Sequence, residues 1–175
     1  MRIENGKLVI RNAGKEDCAQ LAEWWNDGSV MAHAGFPDGL HTSAEEIEQS
    51  LAGDGDDTRR RLIIDCDGLS IGETSYRVKD EKTVEIGIKI CDPDYQEKGL
   101  GRVLLSMLIR RLFDLGYEKI VLDTNLKNIR AQHVYEKLGF RKVRVNIDSW
   151  TDQRGQLQSS VDYELTERDF HDFTR

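Results

Sequence analysis

Residues Asp94 to Arg102, Asp-Tyr-Gln-Glu-Lys-Gly-Leu-Gly-Arg, decide how the rest of this chain is interpreted. Before them, Thr83 to Cys91 alternates branched apolar residues with other types, which is the pattern of a β-strand. After them, apolar residues recur at helical spacing until Gly116, a residue that favours the end of a helix. Gly99 and Gly101 therefore lie in a turn that enters a helix at its N-terminus.

This turn has the properties of an anion-binding site. The first turn of a helix leaves backbone N–H groups without partners, and the helix dipole adds partial positive charge there. Gly99 and Gly101 lack the Cβ atoms that would hold a phosphate away from the backbone, while Lys98 and Arg102 supply full positive charge. The turn therefore predicts a binding site for a diphosphate.

Two nucleotide-binding motifs compete with this interpretation. A P-loop needs Lys-Ser or Lys-Thr after its last glycine, whereas Arg102 follows here. The dinucleotide-binding fingerprint is closer, because the Gly-Leu-Gly turn opens a helix and Asp123 ends the next strand, but Leu104 replaces its third glycine. Only one more strand–helix unit follows, which is too little for a dinucleotide-binding domain. On the glycines alone, an ordinary capped helix remains open.

Two motifs together resemble a known superfamily. Gln96 to Gly101 is similar to the Q/R-x-x-G-x-G/A pyrophosphate loop of the GNAT superfamily of N-acetyltransferases. Asn128 to Phe140 is similar to its second signature, N-x-x-A-x-x-x-Y-x-K-x-G-F. The resemblance implies a single domain over residues 1–175 with the α/β GNAT fold, of α+β type. That fold has a mixed central sheet of about seven strands, about four flanking helices, and splayed parallel strands that hold CoA.

The resemblance also assigns residues to acetyl-CoA. The splayed strands would be Thr83 to Cys91 and Lys119 to Asp123, and the pantetheine arm would bond to the backbone of Ile88, Lys89 and Ile90. Asn128 would face the pantetheine, although a helix-capping role is the alternative, and Ala131 is small enough to let the cofactor pass. The pyrophosphate would lie on the loop formed by Gln96, Glu97, Lys98, Gly99, Leu100, Gly101 and Arg102.

Acetyl transfer to an amine needs a base for the attacking amine and an acid for the departing thiolate. By resemblance Tyr135 contacts the cofactor and is the acid, a role that suits a phenol because it is protonated at neutral pH. The alternative is that Tyr135 is only an aromatic residue of the core. Glu85 matches a position where several members carry a glutamate that activates the amine through water. Glu85 is therefore the predicted base; the alternative is that it is only an exposed carboxylate on the strand. Asp92 and His33 are the other candidates for the base.

Composition describes one globular domain: of 175 residues, 38% are hydrophobic and 33% are charged. No apolar run approaches the length needed to span a membrane, and the N-terminal residues lack the features of a signal peptide. We therefore expect a cytoplasmic protein without membrane or nucleic-acid partners. Three widely spaced cysteines predict neither a disulfide framework nor a metal site. The resemblance also suggests a homodimer formed through the C-terminal strands.

Residues 16–58, called the acidic segment below, contain eleven Asp or Glu and no Lys or Arg, whereas the rest of the chain has 21 acids and 25 Lys or Arg. By resemblance, this segment would lie where the superfamily builds its acceptor site. It predicts that the acceptor is a small cationic amine such as a polyamine or an aminoglycoside; an acidic surface that serves solubility alone is the alternative. The expected acceptor-binding residues are Trp24, Trp25, His33 and Phe36, and the adjacent indoles cannot both face the site.

The activity implied is therefore transfer of an acetyl group from acetyl-CoA to a primary amine. Two alternatives stay open at this point: an N-terminal acetyltransferase that acts on peptides or proteins, and a CoA-binding sensor without turnover. The first would need an open groove at the acceptor site rather than a closed pocket. The second would be favoured if Tyr135 and Glu85 were lacking, and both are present.

Overall fold

An eight-stranded mixed sheet forms the centre of the computed structural model, which describes residues 1–175. The order across the sheet is β1-β2-β3-β4-β5-β6-β8-β7, and only β5 and β6 are parallel neighbours. The strands are β1 (Arg2–Asn5), β2 (Leu8–Asn12), β3 (Arg59–Cys66), β4 (Leu69–Val78), β5 (Thr83–Ile90), β6 (Lys119–Asn125), β7 (Arg141–Thr151) and β8 (Leu157–Thr166).

Five helices cover the two faces of this sheet. They are α1 (Cys18–Asn26), α2 (Gly28–Met31), α3 (Ala44–Leu51), α4 (Leu100–Asp114) and α5 (Ile129–Lys137). The apolar side of α4 packs with α5 in a core of 24 buried residues on one face, called the α4 face below. A smaller cluster holds α1 and α3 against Ile63 on the opposite α1 face. No helix is both long and apolar enough to cross a membrane.

The centre of the sheet is open between β5 and β6. These strands pair only at Thr83–Lys119, Val84–Ile120 and Glu85–Val121, although both continue for several residues beyond that point. Each strand keeps its other neighbour, because β4 pairs with β5 as far as Ile90 and β8 pairs with β6 as far as Asn125. A wedge therefore opens inside a sheet that is otherwise intact, and the predicted splay of these two strands is confirmed.

The structure has one more strand and one more helix than the sequence predicts. Strand β1 has only four residues, too short for a clear alternating pattern, and it pairs with β2 across a turn at Gly6. Helix α2 is a single turn that ends inside residues 30–41, whose glycines and mixed composition predict a loop. The sequence predicts a strand from Phe140 to Ile147. In the structure β7 continues to Thr151, because Asp148, with φ 48°, interrupts the alternation without ending the strand.

Candidate active site

A cavity of about 1290 Å³ occupies the wedge between β5 and β6 and reaches both faces of the sheet. Its α4 half is lined by the loop Gln96–Arg102 and by residues of α5. Its α1 half is lined by side chains from α1, β3, β4, β6 and β7. Ile88, Lys89 and Ile90 line the wedge itself, at the end of β5 where the pairing with β6 has ceased.

The loop before α4 has the geometry of an anion site. Gln96 donates from Nε2 to the carbonyl of Ile90 at 2.8 Å, which ties the loop to the end of β5. Glu97 and Gly99 both adopt left-handed conformations, with φ 59° and 75°, so the chain curls around the N-terminus of α4. A Cβ added to Gly101 would meet no atom within 4 Å. A cup of backbone N–H groups, open on one side, suits a phosphate.

The cations beside this loop are held by neighbouring groups. Lys98 lies 5.6 Å from the ring of Tyr95, and Arg130 of α5 pairs with Glu97 at 2.9 Å. The guanidinium of Arg102 lies 5.2 Å from the ring centre of Phe173, which belongs to the C-terminal tail. Sequence reasoning did not find the contribution of this tail, because nothing local connects residue 173 with residue 102.

Asn128 and Ala131 meet at the start of α5. The Oδ1 atom of Asn128 accepts a hydrogen bond from the backbone N–H of Ala131 at 3.3 Å, so Asn128 is the N-cap of the helix. Both residues also line the cavity. The Nδ2 group of Asn128 has no partner within the chain and is free to donate into the α4 half. The capping interpretation and a cofactor contact are therefore compatible.

Tyr135 is buried at the point where the two halves of the cavity meet. Its ring packs edge-on against Phe140 and Tyr163, and the residue is 7% exposed. The hydroxyl group makes no hydrogen bond within the chain, and Tyr135 lines the cavity. Burial, with a smaller contribution from the charge of Asp123, raises the pKa of Tyr135 to about 12. The phenol therefore stays protonated at neutral pH and can donate a hydrogen bond into the cavity.

Asp123 is the carboxylate that faces the same region. It follows the part of β6 that pairs with β5 by two residues and lines the cavity, and its carboxylate makes no ion pair and no hydrogen bond to another residue. Although its side chain is open to the cavity, the surrounding walls remove bulk water. This desolvation, together with the charges of Glu85 and Asp162, raises the pKa of Asp123. A partnerless carboxylate of increased basicity can accept a proton.

The structure does not bring Glu85 to the cavity. Glu85 lies at the last paired position of β5 and β6, where the strands are still joined. Arg77 and Lys79 bind its carboxylate at 2.7 and 3.2 Å. Of the two other candidates for the base, Asp92 caps a short 3-10 helix outside this cavity, whereas His33 lines the α1 half.

The two adjacent tryptophans have different surroundings. Trp24 packs in the small core cluster on the α1 face. Trp25 lines the cavity and donates from Nε1 to Glu73 at 2.8 Å, and Lys89 contacts the same carboxylate oxygen at 3.2 Å. Phe36, which the sequence predicts to contact the acceptor, is 38% exposed and lies outside the cavity. Glu73 was not predicted, because its neighbours come from distant parts of the chain.

The turn between β7 and β8 holds the loop that follows α2. Gln153 donates to the carbonyls of Gly35 and Gly39 at 2.9 Å and accepts from the N–H of Asp38 at 2.9 Å. The ring of Trp150 lies so close to Gly35 that a Cβ there would be 2.5 Å away. These contacts, called the hairpin clamp below, close one side of the α1 half.

No carboxylate of the acidic segment lines the cavity, so the expected acidic acceptor wall is not what the structure shows. The segment contributes Trp25 and uncharged neighbours, together with His33. Several of its acids act elsewhere as ion-pair partners or at helix N-termini: Asp17 binds Arg11, Asp38 binds Arg154, Asp54 binds Arg59 and Arg61, Asp27 caps α2, and Glu46 forms a capping box with Ser43 at the start of α3. A count of charges along the sequence could not show where they point.

Known proteins resemble this chain in sequence and in fold. The acetyltransferase (GNAT) domain model matches residues 7–141. The L-amino acid N-acyltransferase MnaT of Escherichia coli K12 is 33% identical over 142 residues, which are 76% of this chain and 79% of MnaT. The spermidine N-acetyltransferase of Vibrio cholerae in complex with CoA and spermine superimposes with a TM-score of 0.83 at 23% identity, over 94% of this chain and 98% of that one.

A second solved structure extends the comparison. RimL, the ribosomal L7/L12 alpha-N-protein acetyltransferase in complex with coenzyme A, has a TM-score of 0.84 at 18% identity, and the match covers 95% of this chain and 98% of that one. The family-model match over most of the chain confirms the resemblance read from the two motifs. The chain therefore belongs to the GNAT family and is an acetyl-CoA-dependent N-acetyltransferase.

Proposed function

We propose that this protein transfers the acetyl group of acetyl-CoA to the primary amine of a small molecule at the cavity between β5 and β6. Asp123 accepts a proton from the amine, and Tyr135 gives one to the departing thiolate. The observation that carries the proposal is the position of these two groups. Both line the cavity where its halves meet, close enough for the charge of Asp123 to raise the pKa of Tyr135.

In this proposal, backbone groups make most of the contacts with the cofactor. The pyrophosphate lies on the N–H groups of the loop Gln96–Arg102, and the pantetheine arm bonds to the backbone of Ile88 to Ile90, where β6 no longer does so. Asn128 donates to the arm from its free amide group. The acetyl group is thereby directed through the wedge toward the α1 half.

The reaction proceeds by direct transfer. The ammonium group of the acceptor loses a proton to the Asp123 carboxylate, and the free amine attacks the thioester carbonyl. The C–S bond then breaks as the sulfur takes the proton of Tyr135, and the nitrogen gives up its second proton to the tyrosinate or to solvent to leave the amide. Proton exchange with solvent restores both side chains. All three cysteines are buried away from the cavity, so no thiol is positioned to hold the acetyl group in between.

A small acceptor fits the α1 half better than a peptide does. The hairpin clamp closes one side of this half, where an N-terminal acetyltransferase acting on peptides would need an open groove. A polyamine, the acceptor class expected from the acidic segment, would find only one carboxylate without a partner in this half, that of Asp123, because Lys89 and Trp25 bind Glu73. MnaT, by its name, acts on L-amino acids, so amino acids are the other class to be tried.

The first experiment follows the release of free thiol from acetyl-CoA with amino acids, polyamines, aminoglycosides and N-terminal peptides as acceptors. We expect release with one class of small amine and little with peptides. Replacing Tyr135 by Phe should lower kcat by about 10²-fold and leave the acetyl-CoA Kd within about 2-fold. Tyr163→Phe is the matched control, because that hydroxyl binds Glu136 away from the cavity.

Two results would contradict the proposal. Binding of acetyl-CoA without thiol release for any amine would indicate a CoA-binding protein without turnover. A Tyr135→Phe variant with the wild-type kcat would remove Tyr135 from the mechanism.

A further inference from the structure

Two arginines of β3 face the α1 half of the cavity together. Arg59 and Arg61 alternate along the strand, so both side chains leave the same face of the sheet, and both line the cavity. The buried carboxylate of Asp54 binds both: it accepts from Arg61 Nε and Nη2 at 3.0 and 2.8 Å and from Arg59 Nε at 3.3 Å. One carboxylate thus holds two guanidinium groups, which leaves one positive charge uncompensated.

The floor between these arginines and Asp123 is lined by small residues. In the strand register Arg61 lies opposite Ser75, and Ser75 lies opposite Gly87. Asp123 lies level with Gly87 across the wedge. Val121 pairs with Glu85 in the parallel register, and Asp123 and Gly87 each follow that pair by two residues. A Cβ at Gly87 would approach nothing closer than Ser75 Oγ at 3.6 Å, so the floor is open there. A cation, a flat floor and a carboxylate therefore lie in one row.

The other charged groups of this half cancel one another. Lys89 lies 3.2 Å from Glu73, in the neighbouring row of the sheet. Glu73 also accepts a hydrogen bond from Trp25, so this carboxylate has its partners within the chain. What remains without a partner is the surplus charge of the arginines at one end and Asp123 at the other. A ligand that complements both ends carries an amine and an anion.

We infer that the acceptor is an amine that also carries a carboxylate, as an amino acid does. The Nη groups that Asp54 leaves free, both on Arg59 and Nη1 on Arg61, donate to this carboxylate. The body of the acceptor lies over Ser75 and Gly87, and its amine reaches Asp123. This inference rests on the proposed function and names the acceptor class for it. A polyamine has no group for the arginines to bind.

The direct test needs no variant. Thiol release is measured with L-amino acids of every side-chain class, with their carboxamides, and with spermidine. We expect kcat/KM for the best amino acid to exceed that of its carboxamide by about 10-fold or more, as for loss of one charge-assisted pair. The amine of a carboxamide is less basic and so more often free to attack, which works against this expectation. Carboxamides or spermidine performing as well as amino acids would overturn the inference.

A variant identifies the residues responsible. Arg59→Gln should raise KM for the amino acid about 10-fold and change KM for its carboxamide and the acetyl-CoA Kd by less than about 2-fold, while Arg59→Lys keeps part of the affinity. Arg60→Gln is the matched control, since Arg60 leaves the opposite face of β3 and pairs with Asp56. An equal effect of Arg59→Gln on acid and carboxamide would overturn the assignment.

The two levels of failure are distinguishable. Absence of thiol release with every amine would defeat the proposed function itself. Release that favours carboxamides or polyamines over amino acids would leave the proposed function standing and defeat only the acceptor class.

Discussion

The two halves of the cavity are built in different ways. The α4 half comes from two short stretches, residues 88–102 and 128–135, and presents mainly backbone groups. The α1 half takes single side chains from α1, β3, β4, β6 and β7, spread between Trp25 and Trp150. Main-chain recognition can be encoded in a local motif, whereas a set of converging side chains depends on the register of the whole sheet. The cofactor side is therefore the more predictable one.

The largest effect should come from blocking the α4 half. Gly101→Glu places a carboxylate where the phosphate is expected, and we predict that acetyl-CoA affinity falls by about 10³-fold or more, measured by calorimetry. Gly101→Ala serves as the control for folding, because a Cβ there meets no atom within 4 Å. An unchanged Kd in the glutamate variant would show that this loop does not bind the cofactor.

The next largest effect tests the meeting point of the halves. Asp123→Asn keeps the size of the side chain but removes the proposed base, and kcat/KM should fall by about 10²- to 10³-fold. The acetyl-CoA Kd should stay the same, because Asp123 has no part in holding the cofactor. Glu85→Gln is the matched comparison, since Glu85 lies on the same face outside the cavity. A larger loss for Glu85→Gln than for Asp123→Asn would restore Glu85 as the base.

The same Asp123→Asn variant should alter stability with pH. The walls of the cavity raise the pKa of Asp123, so the folded state binds this proton more tightly than the unfolded chain does. The ionised carboxylate therefore costs stability above its folded pKa, and the cost vanishes below the unfolded value of about 4. We expect the variant to melt at a higher temperature than the wild type at pH 8, with the difference shrinking toward pH 4. Equal melting temperatures at pH 8 would contradict this.

A moderate effect should follow from the C-terminal tail. The ring of Phe173 holds the guanidinium of Arg102, and its backbone N–H donates to Ser106 Oγ at 3.0 Å. Phe173→Leu keeps the apolar contact but loses the aromatic face, so acetyl-CoA affinity should fall about 5-fold. Phe173→Tyr should restore it. If Phe173→Leu lowered the affinity for acetyl-pantetheine as much as that for acetyl-CoA, the variant would have lost structure generally and the contact with Arg102 would not be the cause.

The smallest effect is expected from the acidic segment. Glu45 and Asp57 are exposed, and neither lines the cavity. The double variant Glu45→Gln, Asp57→Asn should change kcat/KM for the acceptor by less than about 2-fold at low salt. A larger fall that disappears as salt is added would show that these acids steer a cationic acceptor after all.

The sequence was enough to predict the α4 half of the cavity but not the α1 half. The loop Gln96–Arg102 and the start of α5 were found because glycines and caps act within a few residues of chain. The choice between Glu85 and Asp123 was out of reach, because both lie on one face and only the point where β5 and β6 separate decides which of them meets the cavity. Arg59 and Arg61 were missed for the same reason. Charge composition located the acids along the chain but not in space.

The three-residue pairing of β5 with β6 places two strand edges in the middle of the sheet rather than at its rim. Successive residues of a strand direct their N–H groups to alternate sides, so about half of the amides in the splayed ends face the wedge. These amides should exchange with deuterium through local opening, far faster than global unfolding allows. Acetyl-CoA should slow the exchange at Ile88 to Ile90. The centre of a sheet, usually its most protected part, here reports cofactor occupancy.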